Sequence, residues 1–324
     1  MVAVATSDPV SAQAAGERFG ARAYSDARKL IEDDDVEAVT VAVKVPAHLE
    51  LVEAALLKGQ HVYREWPLTP DVATATRLRD LAQANSLVTT IGLQVRRFPV
   101  VRFATRMIQS GEIGQVLSAV VTCTHPMGGA TVPAAHTYLT EDRAGANVLT
   151  ISAGHAIDTL TALVGDVSEL VATVSTFFPH PRVVETSEVL DASSPDHIVV
   201  AGTLAGGGLM SASFLGGSLI DPRVIIEVRG AAGRVTVTAR PGLSAGNLEV
   251  EVLDAQGGPQ EVRVEARPEV DALPTGASRL VGGLYLELRR RFGAAAPWRR
   301  ISPMRYASNS CSRTSARRRG RGCG

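Results

Sequence analysis

The stretch HVYREWPLTP, residues 61–70, places a carboxylate and an indole next to a proline at the predicted end of a strand. Ligands of parallel sheets bind at the carboxyl ends of strands, so we expect Glu65 to act at a binding site rather than only in packing. Trp66 has two interpretations, a packing residue or a flat platform on which the ring of a ligand stacks. An indole N–H only donates, so Trp66 cannot serve as a base.

One histidine lies on the apolar helical segment GANVLTISAGHAIDTLTALVG. The ordinary pKa of imidazole suits proton transfer near neutral pH, which makes His155 a candidate general acid–base. The alternative is a core histidine whose ring is satisfied by its neighbours. Asp158, three residues further on, either orients this helix or His155, or faces solvent.

Further polar residues follow the predicted strands. Lys44 comes directly after the apolar run VTVAV, and an ammonium at a strand end can pair with a phosphate or a hydroxyl of a ligand. Its alternative is a solvated lysine at a strand end. The other candidates follow the last strand of the first half or lie on a predicted loop: Gln94, Arg96, Arg97, His136 and Tyr138.

The segments that must position these residues alternate between strand and helix in the first half of the chain. Strands are predicted at 2–5, 38–44, 61–64 and 87–94. The helices between them start at Asp8, Ser25 or Pro46 and stop at glycines such as Gly20. This alternation is typical of a parallel sheet with crossover helices.

After about residue 115 the pattern changes. A buried helix is followed by strand-like runs at 167–178, 197–205, 208–215, 223–229, 233–238, 248–254 and 260–265, and then by a closing helix. The prediction is an α/β chain in which an incomplete Rossmann-type parallel sheet precedes an α+β domain with a large, mostly antiparallel sheet. The predicted domains are residues 1–110 and 111–293, with a basic tail at 294–324.

The composition is that of an ordinary soluble protein, with 45% hydrophobic and 20% charged residues and a net charge of +0 over 324 residues. No run approaches the roughly 20 apolar residues of a membrane helix, and no signal peptide is visible. Three cysteines without metal-like spacing predict neither a disulfide framework nor a structural metal. We expect a cytoplasmic protein that needs no membrane.

The tail differs from the rest of the chain. Residues 297–324 carry eight arginines and no acid, so the remainder is net acidic. One interpretation is a disordered basic arm that touches nucleic acid or membrane. Because Arg, Ser, Gly and Cys are what GC-rich DNA encodes out of frame, we favour a non-native end and do not expect nucleic acid as a partner.

Four blocks in this order carry a family resemblance: VAVATSDPVSAQAAGERFG, VEAVTVAVKVPAHLELVEAALLKGQHVYREWPL, GLQVRRFPVVRFATRMIQSGEIGQVLS and GHAIDTLTALVG. Together they resemble the glucose–fructose oxidoreductase, inositol dehydrogenase and MocA (Gfo/Idh/MocA) family over residues 1 to about 292. Within it, VKVPAH, EWPL and LTISAGHAIDTL are similar to the branch of galactose-regulon repressors and their bacterial relatives.

The resemblance implies an NAD(P)-dependent enzyme that acts on a sugar, cyclitol or related polyol. The family's dehydrogenases use a lysine, an aspartate and a histidine. Here Trp66 stands at the lysine position and Ile151 at the aspartate position, so that His155 alone remains as the catalytic residue. The implied cofactor-binding residues are Thr6, Ser7, Lys44, Pro46, His48, Glu65, Trp66, Pro67 and Gln94, and the implied substrate-binding residues are Arg96, Arg97, Tyr138 and Asp158.

The glycine fingerprint G-x-G-x-x-G of dinucleotide-binding domains is absent from residues 1–30. The prediction is that a first strand and glycine loop are missing, that the flanking strands either close up or leave unpaired edges, and that dinucleotide binds poorly. At the end of the first remaining strand, Thr6 and Ser7 carry no acid that would repel a 2′-phosphate, which slightly favours NADP.

Three functions remain open from the sequence. The favoured one is an oxidoreductase that uses His155 on a CH–OH group. The alternative is a non-catalytic regulator that responds to a nucleotide or sugar, which the replacements at Trp66 and Ile151 favour. The third is a decayed gene product. By resemblance, the open face of the second domain's sheet predicts a homo-oligomer.

Overall fold

The computed structural model describes residues 1–293 except Pro70, Gly246 and Thr275. Residues 1–92 form one compact unit and residues 93–290 another. The predicted basic tail at 294–324 lies outside the described residues. Among the described helices, none combines the length and the apolar character that crossing a membrane requires. The predicted domain boundaries at residues 110 and 293 stay predictions.

The first unit alternates strands with helices, as its hydrophobic pattern predicts. A 3-10 turn, Val45–Ala47, precedes its third helix. Its elements are β1 Ala3–Ala5, α1 Pro9–Phe19, β2 Arg22–Tyr24, α2 Ala27–Glu32, β3 Ala38–Val41, α3 His48–Lys58, β4 His61–Glu65, α4 Val72–Ala84 and β5 Thr89–Gly92.

Helix ends in this unit follow their capping residues. Asp8 accepts a hydrogen bond from the Ser11 amide at the start of α1, and Gly20 ends the helix with φ 61°. The predicted cap of α2 was wrong by one residue. Asp26, not Ser25, accepts from the Arg28 amide, because a carboxylate in the extended cap conformation reaches that amide.

The strands of the first unit form two separate parallel sheets. One pairs β1 with β2, and the other has the order β3-β4-β5. Within the described residues, β1 and β3 form no ladder with each other, so of the two alternatives that the sequence left open the structure shows unpaired edges. β3 is also shorter than predicted, and it is buried only on the face of Val39 and Val41.

A shared core holds these small sheets together, since two or three strands are marginal by themselves. Ile31 of α2, Val39 and Val41 of β3 and Leu56 of α3 are all buried in it, and Ala3 of β1 packs against the same cluster. Helix packing, rather than a continuous ladder, therefore joins β1 to the rest of the unit.

The second unit contains the large sheet and three longer helices. A π-helical segment, Val148–Ala153, runs directly into its central helix. Its elements are α5 Pro99–Gln109, β6 Val116–Thr124, β7 Thr131–Val132, α6 Gly154–Val164, β8 Val167–Ser175, β9 Arg182–Val183, β10 His197–Leu204, β11 Leu209–Leu215, β12 Arg223–Gly230, β13 Gly233–Ala239, β14 Leu248–Asp254, α7 Pro268–Asp271 and α8 Ala277–Gly293.

The sheet has seven strands in the order β14-β13-β12-β6-β11-β10-β8, and only the β6–β11 pair is parallel. Alternate residues are buried along the central strands, as the period of two requires, and the covering helices contact four strands: α5 packs on β13 and β14, and α6 on β6 and β12. The other face carries exposed apolar residues, among them Val120, Val171, Val199 and Leu209. The strand order and the single parallel pair confirm the predicted, mostly antiparallel sheet.

Two details of the second unit differ from the prediction. The run 260–265 is not a strand. Pairing with β14 is limited to a single bridge from Leu253 to Pro259, beside which the Gln260 amide donates to the Val252 carbonyl at 2.9 Å. A short pair, β7 with β9, lies outside the large sheet and was not predicted.

Candidate functional site

In the first unit, polar side chains stand at the carboxyl ends of parallel strands. Val41 of β3 pairs with Arg64 of β4, so Lys44 and Glu65 follow their strands at the same edge of the sheet. Both are exposed there. At the end of β1, the Thr6 hydroxyl donates to the Asp8 carbonyl, 2.8 Å away. A cation, a carboxylate and hydroxyls at strand ends suit the phosphates and ribose hydroxyls of a dinucleotide.

A buried arginine holds the turn after β4 in place. Arg64 Nη2 donates to the Pro67 carbonyl at 2.7 Å, across the cis bond between Trp66 and Pro67. Trp66 is only 8% exposed, which favours packing over stacking on a ligand. The Glu65 side chain is exposed to solvent by surface area. Partial desolvation by the surrounding protein nevertheless raises the pKa of its carboxyl.

Arg64 also binds His48, the first residue of α3. Its Nε and Nη2 atoms lie 2.9 and 2.7 Å from His48 Nδ1, which must therefore accept, and the Nε2–H of His48 donates to the Val43 carbonyl. Burial, and then the charge of Arg64, lower the pKa of His48. Burial lowers the pKa of Arg64 to about 9. Among the described residues, Arg64 Nη1 has no hydrogen-bond partner.

Gly92, at the end of β5, allows this turn to lie close to the neighbouring strand. A Cβ at this position would lie 3.0 Å from both Glu65 Cα and the Tyr63 hydroxyl, and 3.3 Å from the Trp66 amide. Any side chain would push the turn away from β5. The turn that carries Glu65 and Trp66 is thus placed by a glycine and by a buried arginine, and the sequence prediction named neither.

In the second unit, His155 lies in the first turn of α6. It is half-buried, and burial lowers the pKa of its imidazole to about 4, so that the ring is neutral at pH 7. A neutral imidazole can accept a proton. Ile151, four residues earlier on the preceding π-helical segment, is half-buried and lines a cavity. Such π-helical segments are frequent at functional sites.

Arg96 and Asp158 are each other's partners. Arg96 Nε lies 2.8 Å from Asp158 Oδ2, and its Nη2 lies 2.5 Å from Oδ1. The two side chains are 11% and 3% exposed. Of the alternatives for Asp158, the geometry favours the one in which it orients its helix. Arg97 pairs with Glu287 at 2.9 Å, and the buried Gln94 Oε1 has no partner among the described residues.

A cavity of about 490 Å³ lies within the second unit, a size typical of small-molecule sites. Its walls come from the segments 125–140, 147–151 and 178–196, with β7 among them. His136 and Tyr138, both predicted as candidates, line this cavity. Of the predicted residues, Lys44 and Glu65 lie at one strand-end edge of the first unit, while His136 and Tyr138, together with Ile151, form part of the cavity.

Two buried polar side chains in this cavity were missed by the sequence prediction. Asn147 is 1% exposed and Ser194 is 7% exposed, and within the described part of the chain Asn147 Nδ2 and Ser194 Oγ have no hydrogen-bond partner. Buried polar groups are usually paired, so unpaired ones beside a cavity mark places where a ligand or an ordered water would bond. The N-x-x-T spacing of a helix cap marks Asn147 in the sequence, whereas no local pattern marks Ser194.

Comparison with known proteins places both units. Residues 1–93 match a family model described as an oxidoreductase family with an NAD-binding Rossmann fold, and residues 99–239 match the model of the C-terminal domain of Gal80p. By these matches, the first unit is a Rossmann unit of the Gfo/Idh/MocA oxidoreductase type, and the second unit is similar to the C-terminal domain of Gal80p.

Curated relatives of this chain include enzymes and a regulator. It is 32% identical over 211 residues to dehydrogenase aclE of Aspergillus oryzae, covering 63% of this chain and 57% of that one. It is 29% identical over 226 residues to the galactose/lactose metabolism regulatory protein GAL80 of Kluyveromyces lactis, covering 64% and 50%. With levoglucosan dehydrogenase of Pseudarthrobacter phenanthrenivorans it shares 30% over 177 residues, covering 54% and 45%.

Solved structures show the same fold. A levoglucosan dehydrogenase in complex with NADH and levoglucosan superposes with a TM-score of 0.79 at 22% identity, covering 97% of this chain and 86% of that one. A super-repressor mutant of Gal80p from Saccharomyces cerevisiae gives 0.76 at 21% identity, covering 91% and 79%. The chain spans about half the length of the curated relatives it matches.

Proposed function

We propose that this protein is an NAD(P)-dependent oxidoreductase that acts on a CH–OH group of a sugar, cyclitol or related polyol. The observation that carries the proposal is the position of His155, which is half-buried in the first turn of α6, one helical turn after Ile151, a residue that lines the second unit's cavity. In this proposal His155 takes the hydroxyl proton while the carbinol C–H leaves as hydride, and the alcohol becomes a carbonyl. NAD(P)⁺, when bound, supplies the hydride acceptor.

The strand-end residues support the cofactor half of the proposal. Lys44 would pair with a phosphate, and Glu65 would accept from ribose hydroxyls at the same sheet edge. Thr6 and Ser7 bring no carboxylate that would repel a 2′-phosphate, which favours NADP slightly over NAD. For Pro46, His48, Pro67 and Gln94 a cofactor role also stays a proposal, as does a substrate role for Arg96, Arg97, Tyr138 and Asp158.

A second candidate function is a regulator that binds a sugar or nucleotide without turning it over. Ile151 and the buried Trp66 have no group that transfers a proton, and the second unit matches the Gal80p C-terminal model. The two candidates share a fold and a ligand class, so activity must separate them.

The test is reduction of NAD⁺ and NADP⁺ at millimolar concentration across a panel of sugars and cyclitols. Millimolar cofactor is used so that weak binding also gives measurable turnover. We expect turnover with at least one polyol, and a loss of 100-fold or more in kcat for His155→Gln. His180→Gln, at an exposed histidine, is the matched control and should leave turnover unchanged. If sugars bind but no combination of cofactor and polyol is turned over, the result identifies the regulator instead.

The open sheet face supports a homo-oligomer. Val171, Val199 and Leu209 are exposed on it at 73%, 57% and 65%, more apolar surface than a free sheet face usually shows. We expect sedimentation to give a dimer or higher oligomer, and Val199→Asp to shift it to the monomer. A monomeric parent protein would contradict this. The cofactor requirement agrees with the predicted cytoplasmic location.

A further inference from the structure

The cavity of the second unit combines an apolar wall with a few polar atoms. Val132 and Val148 are buried at 8% and 2% exposure, and Met127, Leu139 and Phe178 complete this wall. Apolar walls of this kind contact hydrocarbon surface. With a volume of about 490 Å³, the cavity offers space for a sugar ring together with a substituent.

Hydrogen bonds within the cavity walls fix the orientation of two polar side chains. Asn147 Oδ1 accepts from the Thr150 amide at 3.0 Å, which assigns Nδ2 as the amide end without a partner. His125 Nδ1 accepts from the Met127 amide at 3.1 Å, so its ring proton is on Nε2. Burial lowers the pKa of His125 and keeps the ring uncharged. Both side chains are therefore donors, which a ligand must meet with acceptor oxygens.

Ser194 adds a hydroxyl whose backbone is fixed. Its amide donates to the Thr140 carbonyl at 3.0 Å, and its carbonyl accepts from Thr176 Oγ1 at 3.0 Å. The Oγ atom itself has no partner among the described residues. A hydroxyl can donate or accept, so Ser194 suits a sugar hydroxyl.

The cavity carries no cation that would hold an anionic ligand. Among its described lining residues there is neither lysine nor arginine. Its one carboxylate, Asp196, already accepts from the amides of Phe177 and Phe178 at 2.8 Å each. Burying a phosphate or carboxylate without a counter-charge is costly, so charged sugars are disfavoured.

We propose that this cavity binds an uncharged sugar that carries an apolar substituent, such as an aryl or alkyl glycoside. An oxygen of the ligand accepts from Asn147 Nδ2, the substituent packs on the wall of Val132, Val148 and Phe178, and phosphorylated or carboxylated sugars are excluded. The inference deepens the proposed function. It rests on that function only for the statement that this ligand is the substrate.

The test measures binding to the full chain without cofactor, by calorimetry and by saturation-transfer NMR. The probes are phenyl β-D-glucopyranoside, glucose 6-phosphate and glucuronate. Asn147→Asp keeps the acceptor for the Thr150 amide but replaces the free donor by a carboxylate oxygen. Ala192→Phe fills the cavity from a position whose side chain is only half-buried. Ser25→Ala, an exposed serine of the first unit, is the control.

We expect the phenyl glucoside to bind at least tenfold more tightly than either anionic sugar. Asn147→Asp and Ala192→Phe should each weaken it tenfold or more, while Ser25→Ala should not. Equal binding of glucose 6-phosphate, no binding of any probe, or unchanged affinity in both cavity variants would overturn the inference. If one cavity variant fails to fold, the other decides.

Activity separates this inference from the proposed function. If the phenyl glucoside binds as expected but no polyol is oxidised, the oxidoreductase proposal fails and the ligand class stands. If turnover occurs with a KM that neither cavity variant changes, the ligand class fails and the oxidoreductase proposal stands.

Discussion

Arg64 and His48 form a buried pair in which Arg64 Nε and Nη2 both donate to His48 Nδ1, at 2.9 and 2.7 Å. Through this pair the turn after β4 is tied to the loop after β3, because Arg64 also holds the Pro67 carbonyl and His48 holds the Val43 carbonyl. The loops that carry Lys44 and Glu65 thus share one anchor beneath the candidate cofactor edge.

Removing the guanidinium should loosen both loops. Arg64→Met leaves His48 Nδ1 and the Pro67 carbonyl unpaired, at about 1–3 kcal/mol for each buried group, partly offset by removal of a buried cation. We expect the first unit to lose about 1–3 kcal/mol in urea unfolding. Arg28→Met, which removes an exposed ion pair with Glu50, is the control and should change little. Equal losses in the two variants would show that the buried pair does not matter.

Gly92 should tolerate no side chain. In Gly92→Ala the new methyl meets Glu65 Cα and the Tyr63 hydroxyl at 3.0 Å, so the turn must shift at a cost of about 1–3 kcal/mol. NADH titration should also weaken if Glu65 binds cofactor. Gly206→Ala is the matched control, since a Cβ there has nothing within 4 Å and φ lies outside the left-handed range. An unshifted melting temperature for Gly92→Ala would contradict the prediction.

The folded state should become less stable as the pH is lowered, because of His155. Its folded pKa of about 4 lies below the ordinary value of about 6.5. Between these values the unfolded chain binds a proton that the folded chain does not, so the stabilisation is present above pH 6.5 and is lost as the pH falls towards 4. Urea unfolding from pH 7.5 to 4.5 should show this slope.

His155→Gln should reduce that slope without abolishing it. Burial also lowers the pKa of His48, His61 and His125, and these histidines contribute with the same sign. For the proposed reaction, the low pKa of His155 moves the acid limb of the kcat profile well below pH 6.5. A limb at pH 6.5 or above would indicate another base.

The pair of Arg96 and Asp158 should behave as a buried ion pair. Arg96→Met leaves the Asp158 carboxylate, 3% exposed, without its guanidinium, and we expect a loss of about 3–5 kcal/mol. The double variant Arg96→Met with Asp158→Leu should recover part of this loss, which a double-mutant cycle measures. Arg263→Met, in an exposed pair with Glu261, serves as the control. Additive losses in the cycle would exclude a direct interaction.

The sequence by itself determined the elements and the family resemblance. The alternation of strands and helices, the Asp8 cap with Pro9, and the HAIDTL helix all follow local rules, because hydrophobic period and capping depend on neighbours in the chain. It also placed Glu65 and Lys44 at strand ends, since the end of a strand is visible where its apolar run stops.

The tertiary structure alone decided which polar groups meet. Arg64 and His48 are 16 residues apart, Arg96 and Asp158 are 62 apart, and the cavity brings Asn147 together with Ser194. No local period encodes such pairs, because they depend on how helices pack on sheets and on which buried groups remain without partners. For the same reason the separate edges of β1 and β3, and the space that Gly92 leaves for the Glu65 turn, became visible only in three dimensions.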